Sequence, residues 1–226
     1  GIHWTAVKPD LTVAAPEERW QAGDTHQSVF WDPAQGQYVA CLRGSLPPGF
    51  RSIRRSVSPD FRSWSAPELI DLGDSPPEHL YTNACTPYFR APHINLMFPL
   101  RFVPDRKIDE DWDVDAIADS VFMTSRDGHN WDRRFMESFM RPGPDPDNWV
   151  GHTGNYTGVG VVPTGPSEMS VYYNEHKNHS TVRLRRATLR TDGFVSVNAG
   201  YKGGEFTTKP FIFSGGALEL NYSPSA

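Results

Sequence analysis

Several things are scarce in this 226-residue chain, and each scarcity closes off a class of protein. It has only two cysteines, Cys41 and Cys85, both inside apolar runs. A disulfide-stapled scaffold is therefore excluded, and two free buried thiols are the simpler expectation. No apolar stretch approaches the roughly 18 residues a membrane helix needs. Basic excess is missing too: the formal charge is −5, so there is no electrostatic case for nucleic acid, which needs a clustered basic face. The basic runs Arg51–Arg55 and Arg183–Arg190 read as solvated strand residues. Helical periodicity is almost absent. In its place stand short runs rich in Val, Phe, Tyr and Thr, punctuated by 20 prolines and 19 glycines, the spacing of an all-β meander.

What is abundant is a repeated turn. Ser-Pro-Asp-Phe-Arg-Ser-Trp occupies 58–64 and Asp-Gly-His-Asn-Trp 127–131. A clipped copy, Gly-Ile-His-Trp, opens the chain, and a degenerate one, Thr-Asp-Gly-Phe, lies at 191–194. The landing aromatics Trp4, Trp64, Trp131 and Phe194 are spaced by 60, 67 and 63 residues. A long fixed period signals one supersecondary unit used repeatedly. In each copy the Asp side chain can accept backbone N–H groups two residues on, and the aromatic pins the turn to the sheet.

The first full unit runs from Asp24 to Trp64, with strands expected at 27–31, 38–43 and 52–57 and a hairpin loop at 32–36. The second runs from Leu80 to Trp131, with strands at 84–89, 94–102 and 120–125 and an acidic insertion at 105–115. The third starts at Asn155, with strands at 157–162, 169–175 and 182–189. Segments 206–213 and 217–222 read as further strands, closing a ring or starting a β-sandwich. Units with room for four strands predict the blades of a β-propeller, spanning 1–205. Three whole units with broken ends leave strand edges to be covered. The ends pair together, a second copy covers the gap, or the ring is open. Gly1, falling inside a copy of the motif, points to a piece of a longer protein.

These turns, with the first strand Asp24-Thr-His-Gln-Ser-Val-Phe-Trp-Asp32, resemble the five-bladed propeller glycosidases, the fructosidase, arabinofuranosidase and xylosidase superfamily (glycoside hydrolase families 32 and 43). The stretches 168–176 and 188–197 are similar to uncharacterised bacterial glycosidase-like proteins. The resemblance implies cleavage of a terminal sugar in an axial funnel by three acids. Matched by blade position, Asp24 is the nucleophile or base, Asp119 the residue that orients substrate, and Glu175 the general acid. The chain lacks the Trp-Met-Asn-Asp-Pro, Arg-Asp-Pro and Glu-Cys motifs of a plain fructosidase.

Such cleavage needs a protonated carboxyl at the leaving oxygen and an ionised one across the sugar ring, about 5–5.5 Å apart for retention and about 6.5–9.5 Å for inversion. Sugar-binding candidates sit where the units begin: His26 in the first, Tyr81 and Asn83 in the second, Asn155 and Tyr156 in the third, with His176 beside Glu175. Amides and aromatic faces suit sugars because they combine hydrogen bonding with stacking. Arg43 and Arg101 end inner strands and are placed to meet a carboxylate on an acidic sugar, or else serve as edge charges. No cofactor is called for. The acidic residues at 105–115 lack calcium-loop spacing, and His26, His152, His176 and His179 lack zinc spacing. A non-catalytic sugar-binding or interaction propeller and a sialidase-like enzyme are the alternatives. The compartment stays open between secreted, periplasmic and cytoplasmic.

Overall fold

The computed structural model describes residues 3, 5, 25–106, 110–111, 116–150 and 154–223. Asp24, Trp4 and His152 lie outside this set, as do Asp109, Asp113 and Asp115 of the acidic insertion. The chain divides into two units, 1–192 and 193–226. The described part of the first is all-β and antiparallel within its sheets; its one helical feature is a 3-10 turn at Pro146–Asn148. No helix among the described residues is long and apolar enough to cross a membrane.

The first sheet is a four-stranded meander of β1 (Ser28–Asp32), β2 (Gln37–Leu46), β3 (Phe50–Ser58) and β4 (Glu68–Leu69). Its first hairpin turns where the sequence predicts. Asp32 Oδ1 accepts the amides of Ala34 and Gln35, and Gly36 closes the turn at φ 64°, a conformation glycine adopts without strain.

The second meander is split in two. Strands β5 (His79–Leu80), β8 (Leu100–Val103) and β9 (Ile117–Ser120) form one end. Strands β6 (Thr86–Tyr88), β7 (Ala91–Met97), β10 (Met123–Ser125) and β11 (Trp131–Asp132) form the other. The register runs through the break: Met97 pairs with Met123, and three residues on Leu100 pairs with Ser120. The amides of Phe98 and Val121 bridge the gap to Asn83 O and Pro99 O. Pro99 lacks a donor, so the ladder is interrupted without losing step. The third sheet places β14 (Glu168–Glu175) between β15 (Arg183–Arg190) on one side and the short β12 (Tyr156–Thr157) and β13 (Val162–Pro163) on the other.

The repeated turns enter the fourth strands and are built alike. Asp60 Oδ1 accepts the amides of Arg62 and Ser63, as Asp127 Oδ1 accepts those of His129 and Asn130. Trp64 and Trp131 donate Nε1–H to the carbonyls of Phe61 and Gly128, whose φ angles are 63° and 73°. The Thr191–Phe194 copy differs: Asp192 Oδ1 accepts from the Tyr88 hydroxyl at 2.5 Å. Between the first two sheets lies a core of Val39, Cys41, Ile53, Leu80, Cys85, Met97, Val121 and Trp131. Both cysteines are buried free thiols, and burial, with Cys41 beside it, pushes the Cys85 thiol up.

In the second unit, 206–213 and 217–222 form no strand, correcting the sequence expectation. A strand needs a neighbour to complete its ladder. Here Phe206, Ile212, Phe213 and Leu220 stand exposed. The run at 51–55 also departs from its reading as solvated. Arg54 is buried, and Arg55 packs against Gly128, where an added Cβ would meet its Nε at 2.9 Å.

Candidate functional site

Successive sheets touch through a few close side-chain and backbone contacts. Thr25 Oγ1 donates to Tyr81 O at 3.2 Å, joining the first sheet to the second. Ser120 and Thr157 hydroxyls meet at 2.6 Å between the second and third, and there Gly154 lies so close to Ala118 that a Cβ would fall 2.2 Å from its carbonyl oxygen. Tyr81 takes part in the first of these contacts, and Tyr156 immediately precedes the Thr157 of the second.

Two tyrosine rings, Tyr81 and Tyr156, stand edge to face with centroids 6.5 Å apart. Cations from two flanking sheets lie on them. Arg43 Cζ is 5.0 Å and Arg51 Cζ 5.5 Å from the Tyr81 centroid. Lys177 Nζ is 4.1 Å from the Tyr156 centroid and donates to its hydroxyl at 2.7 Å. Both arginines come from the β2–β3 hairpin, where Arg51 faces Ser45 and Arg43 faces Ile53. Residues 43 and 45 share a face, so the two guanidiniums are diagonal neighbours. Arg51 also covers Phe102 at 4.5 Å, and His79 packs between Phe50 and Phe102. Burial and then Tyr81 raise the Tyr156 phenol above its ordinary range. Burial lowers the Lys177 ammonium and the half-buried His26. The result is two aromatic faces rimmed by donors. Sugar C–H faces stack on such rings, and sugar hydroxyls take such hydrogen bonds.

The three acids named from sequence fare differently. Asp24 lies outside the described residues. Asp119 is held by Arg101 through two parallel bonds, Nε–Oδ1 at 2.9 Å and Nη2–Oδ2 at 2.7 Å, and by Ser138 Oγ at 2.6 Å. Arg101 Nη1 reaches Glu78 at 2.8 Å, and Glu78 also accepts from the fully buried side chain of Arg133 at 3.0 Å. Arg101, expected to bind substrate, instead anchors this two-arginine, two-acid network. Its pairing with Asp119 raises its basicity, while burial lowers that of Arg133. Asp119 and Arg101 also line a cleft of about 330 Å³ with Arg106, Arg141 and Trp149. Glu175 is likewise engaged: Arg183 Nε donates at 2.8 Å and the Tyr173 hydroxyl at 3.3 Å. Asp119 and Glu175 thus sit in separate ion-pair networks.

Three other candidates are structural. Asn83 is buried and fully used: Nδ2 donates to His26 O and Cys41 O, and Oδ1 accepts from Ser28 Oγ and Cys85 N. Asn155 is buried and donates to Arg141 O at 2.7 Å. His176, buried at φ 55°, lies 2.8 Å from Thr181 Oγ1 and 2.9 Å from Asp145 Oδ2. Asp145, Asp147 and His176 place ligand atoms within 4.8 Å of one another. Thr181 and Asp145 already take both ring nitrogens, and Arg183 reaches Asp145 at 3.4 Å, so the group is an ion-pair network. Of the predicted substrate-facing residues, Tyr81, Tyr156 and His26 remain at the unit starts. Arg51 and Lys177 were missed. Each had a signal: Arg51 stands near the start of the strand paired with the one carrying Arg43, and Lys177 lies two residues past the strand ending at Glu175.

No protein-family model and no curated protein matches the chain. Among solved structures, it is similar to an N-acetylgalactosamine deacetylase from F. plautii in complex with blood group B trisaccharide. The identity is 15% and the TM-score 0.49, covering 73% of this chain and 49% of that one. A structure described as a glycoside hydrolase is similar at 16% identity and TM-score 0.49, covering 80% and 50%. The chain spans about half the length of either. At these scores the likenesses do not bear on what this chain binds.

Proposed function

We propose that this chain is a β-propeller of the glycosidase type that binds carbohydrate where its units begin, with Tyr81 and Tyr156 as the stacking faces. The convergence of Arg43, Arg51, Tyr81, Tyr156 and Lys177 from three sheets carries the reading. Radially arranged blades bring the starts of their units together near a central channel, and the Thr25–Tyr81 and Tyr81–Tyr156 contacts support that reading. The shared Asp turns entering the fourth strands support a blade repeat. The expected self-association through uncovered edges belongs to the same proposal. Recognition is the better supported half of the function, because Asp119 and Glu175 are spent on arginines. The test is a glycan array probed with wild type and Tyr81→Ala. Binding of a defined sugar set by wild type, lost in the variant without a change in melting temperature, supports the reading. Equal signals from both overturn it.

Hydrolysis is the second reading, favoured by one observation: Asp119 lines an open cleft with Trp149. Turnover of aryl-glycosides by wild type, abolished by Glu175→Gln and by Asp24→Asn, is its expected signature. Turnover that survives both substitutions contradicts the assigned acids.

A further inference from the structure

We propose that His79 is a positioning residue, holding Arg51 at the tyrosine faces through one ring nitrogen. Protonation of that nitrogen releases Arg51, so the site holds its ligand less tightly in acid. The inference rests on the carbohydrate reading above and adds a regulation of the same site.

Along its outer edge β3 has a strand partner over only part of its length. Strand β4 pairs with Arg54 and Arg55, and Ile70 N–H reaches Ile53 O at 3.1 Å. At Arg51 a side chain takes over: the Arg51 backbone N–H donates to His79 Nδ1 at 3.1 Å. A ring nitrogen that accepts carries no proton, so the imidazole is neutral with its hydrogen on Nε2. The ring is also packed in place. His79 pairs with Phe102 across β5 and β8, and its centroid lies 4.8 Å from that of Phe50 and 6.0 Å from that of Phe102. The Arg51 guanidinium covers the same Phe102 ring and Tyr81, so backbone and side chain of Arg51 are held by one cluster.

The charged groups acting on the imidazole are Arg51 from β3 and Asp105 just past β8. Burial first, and then Arg51, lower His79 below its reference of 6.5, while Asp105 opposes them. Glu78 and Arg101, each one residue from the His79–Phe102 pair, bind each other at 2.8 Å, and Arg43 of β2 lies over Tyr81. Protonation puts a hydrogen where the Arg51 N–H points and a second positive charge near its guanidinium. The amide then loses its acceptor. Because the folded value is the lower one, the contact is complete above 6.5 and is lost as pH falls through the depressed value.

The experiment is an NMR titration of the whole chain from about pH 7.5 to about pH 4.5, following the His79 ring nitrogens and the Arg51 amide. At the upper end, an unprotonated Nδ1 and an Arg51 amide protected from hydrogen exchange are expected. That protection, corrected for the intrinsic exchange rate, is expected to fall as the ring titrates. The glycan array is read at the same two pH values with wild type and His79→Asn, whose Oδ1 is an acceptor that does not titrate. Wild-type signal is expected to drop on the order of fivefold in acid, the effect of losing one hydrogen bond, and the His79→Asn signal to hold. A protonated Nδ1 at the upper pH, or Arg51 protection that ignores the titration, overturns the proposal without any variant. An equal acid loss in His79→Asn overturns the link to binding and leaves the carbohydrate reading standing. No sugar bound by wild type at either pH overturns the carbohydrate reading, and the NMR titration still decides the His79 contact.

Discussion

At the residue scale the repeated aspartates are the clearest case of chemistry written in the chain. Burial opposes the charge on Asp127. The side-chain and backbone bonds from Asn130, with those from His129 and Ser125, outweigh it and hold the carboxyl near a pKa of about 2 against a reference of 3.8. A folded-state value below the unfolded one stabilises the fold above the reference, and this contribution disappears as pH falls from 3.8 through 2. Asp127→Ala is expected to cost about 1 kcal/mol at neutral pH, discounted for solvent screening. The melting-temperature gap between wild type and variant should narrow between pH 5 and 2. A gap that stays constant across that range contradicts the ionised-acceptor role. This turn was legible because its bonds are local, spanning residues two and three apart. Glu175, Asp119 and Asn83 were not legible in the same way. Their partners lie 8, 18 and 57 residues away, and no sequence pattern shows which side chain a carboxylate or amide will meet.

Strands follow from alternation and turn residues, so β1, β2, β3, β14 and β15 lie within a few residues of expectation. What alternation did not show was how one sheet grips the next. Asn83 is the main clip, joining Ser28, His26 and Cys41 of the first sheet to Cys85 of the second. Asn83→Ala removes four hydrogen bonds in a buried place and is expected to cost about 2–3 kcal/mol, read as a lower urea midpoint at unchanged slope. Gly154→Ala is expected to be destabilising too, because the backbone carbonyl of Ala118 cannot yield as a flexible side chain would. Glu78→Gln weakens the hold on the buried Arg133 guanidinium and should cost about 3 kcal/mol. Wild-type urea midpoints in these three variants would mean that the contacts between sheets do not hold the unit together.

For the whole molecule, residues 1–192 carry the sheets, and the described residues of 193–226 carry neither strand nor helix. Their β-like composition misled the sequence reading, because hydrophobic alternation signals a strand only when a partner edge exists. Limited trypsin digestion is expected to cut first at the exposed Lys202 and Lys209, leaving a fragment with the parent melting temperature. First cuts within 25–192 would contradict that division. The site follows from how the sheets meet: Tyr81 and Tyr156, from different sheets, are brought together with their rings edge to face. The most direct measurement is therefore where a bound sugar sits, read from side-chain NMR shifts as a sugar selected on the glycan array is titrated in. Joint shifts of Arg51, Tyr81, Tyr156 and Lys177, from all three sheets, are the expected result. Shifts confined to the Asp119–Trp149 cleft, or none at all, would contradict it.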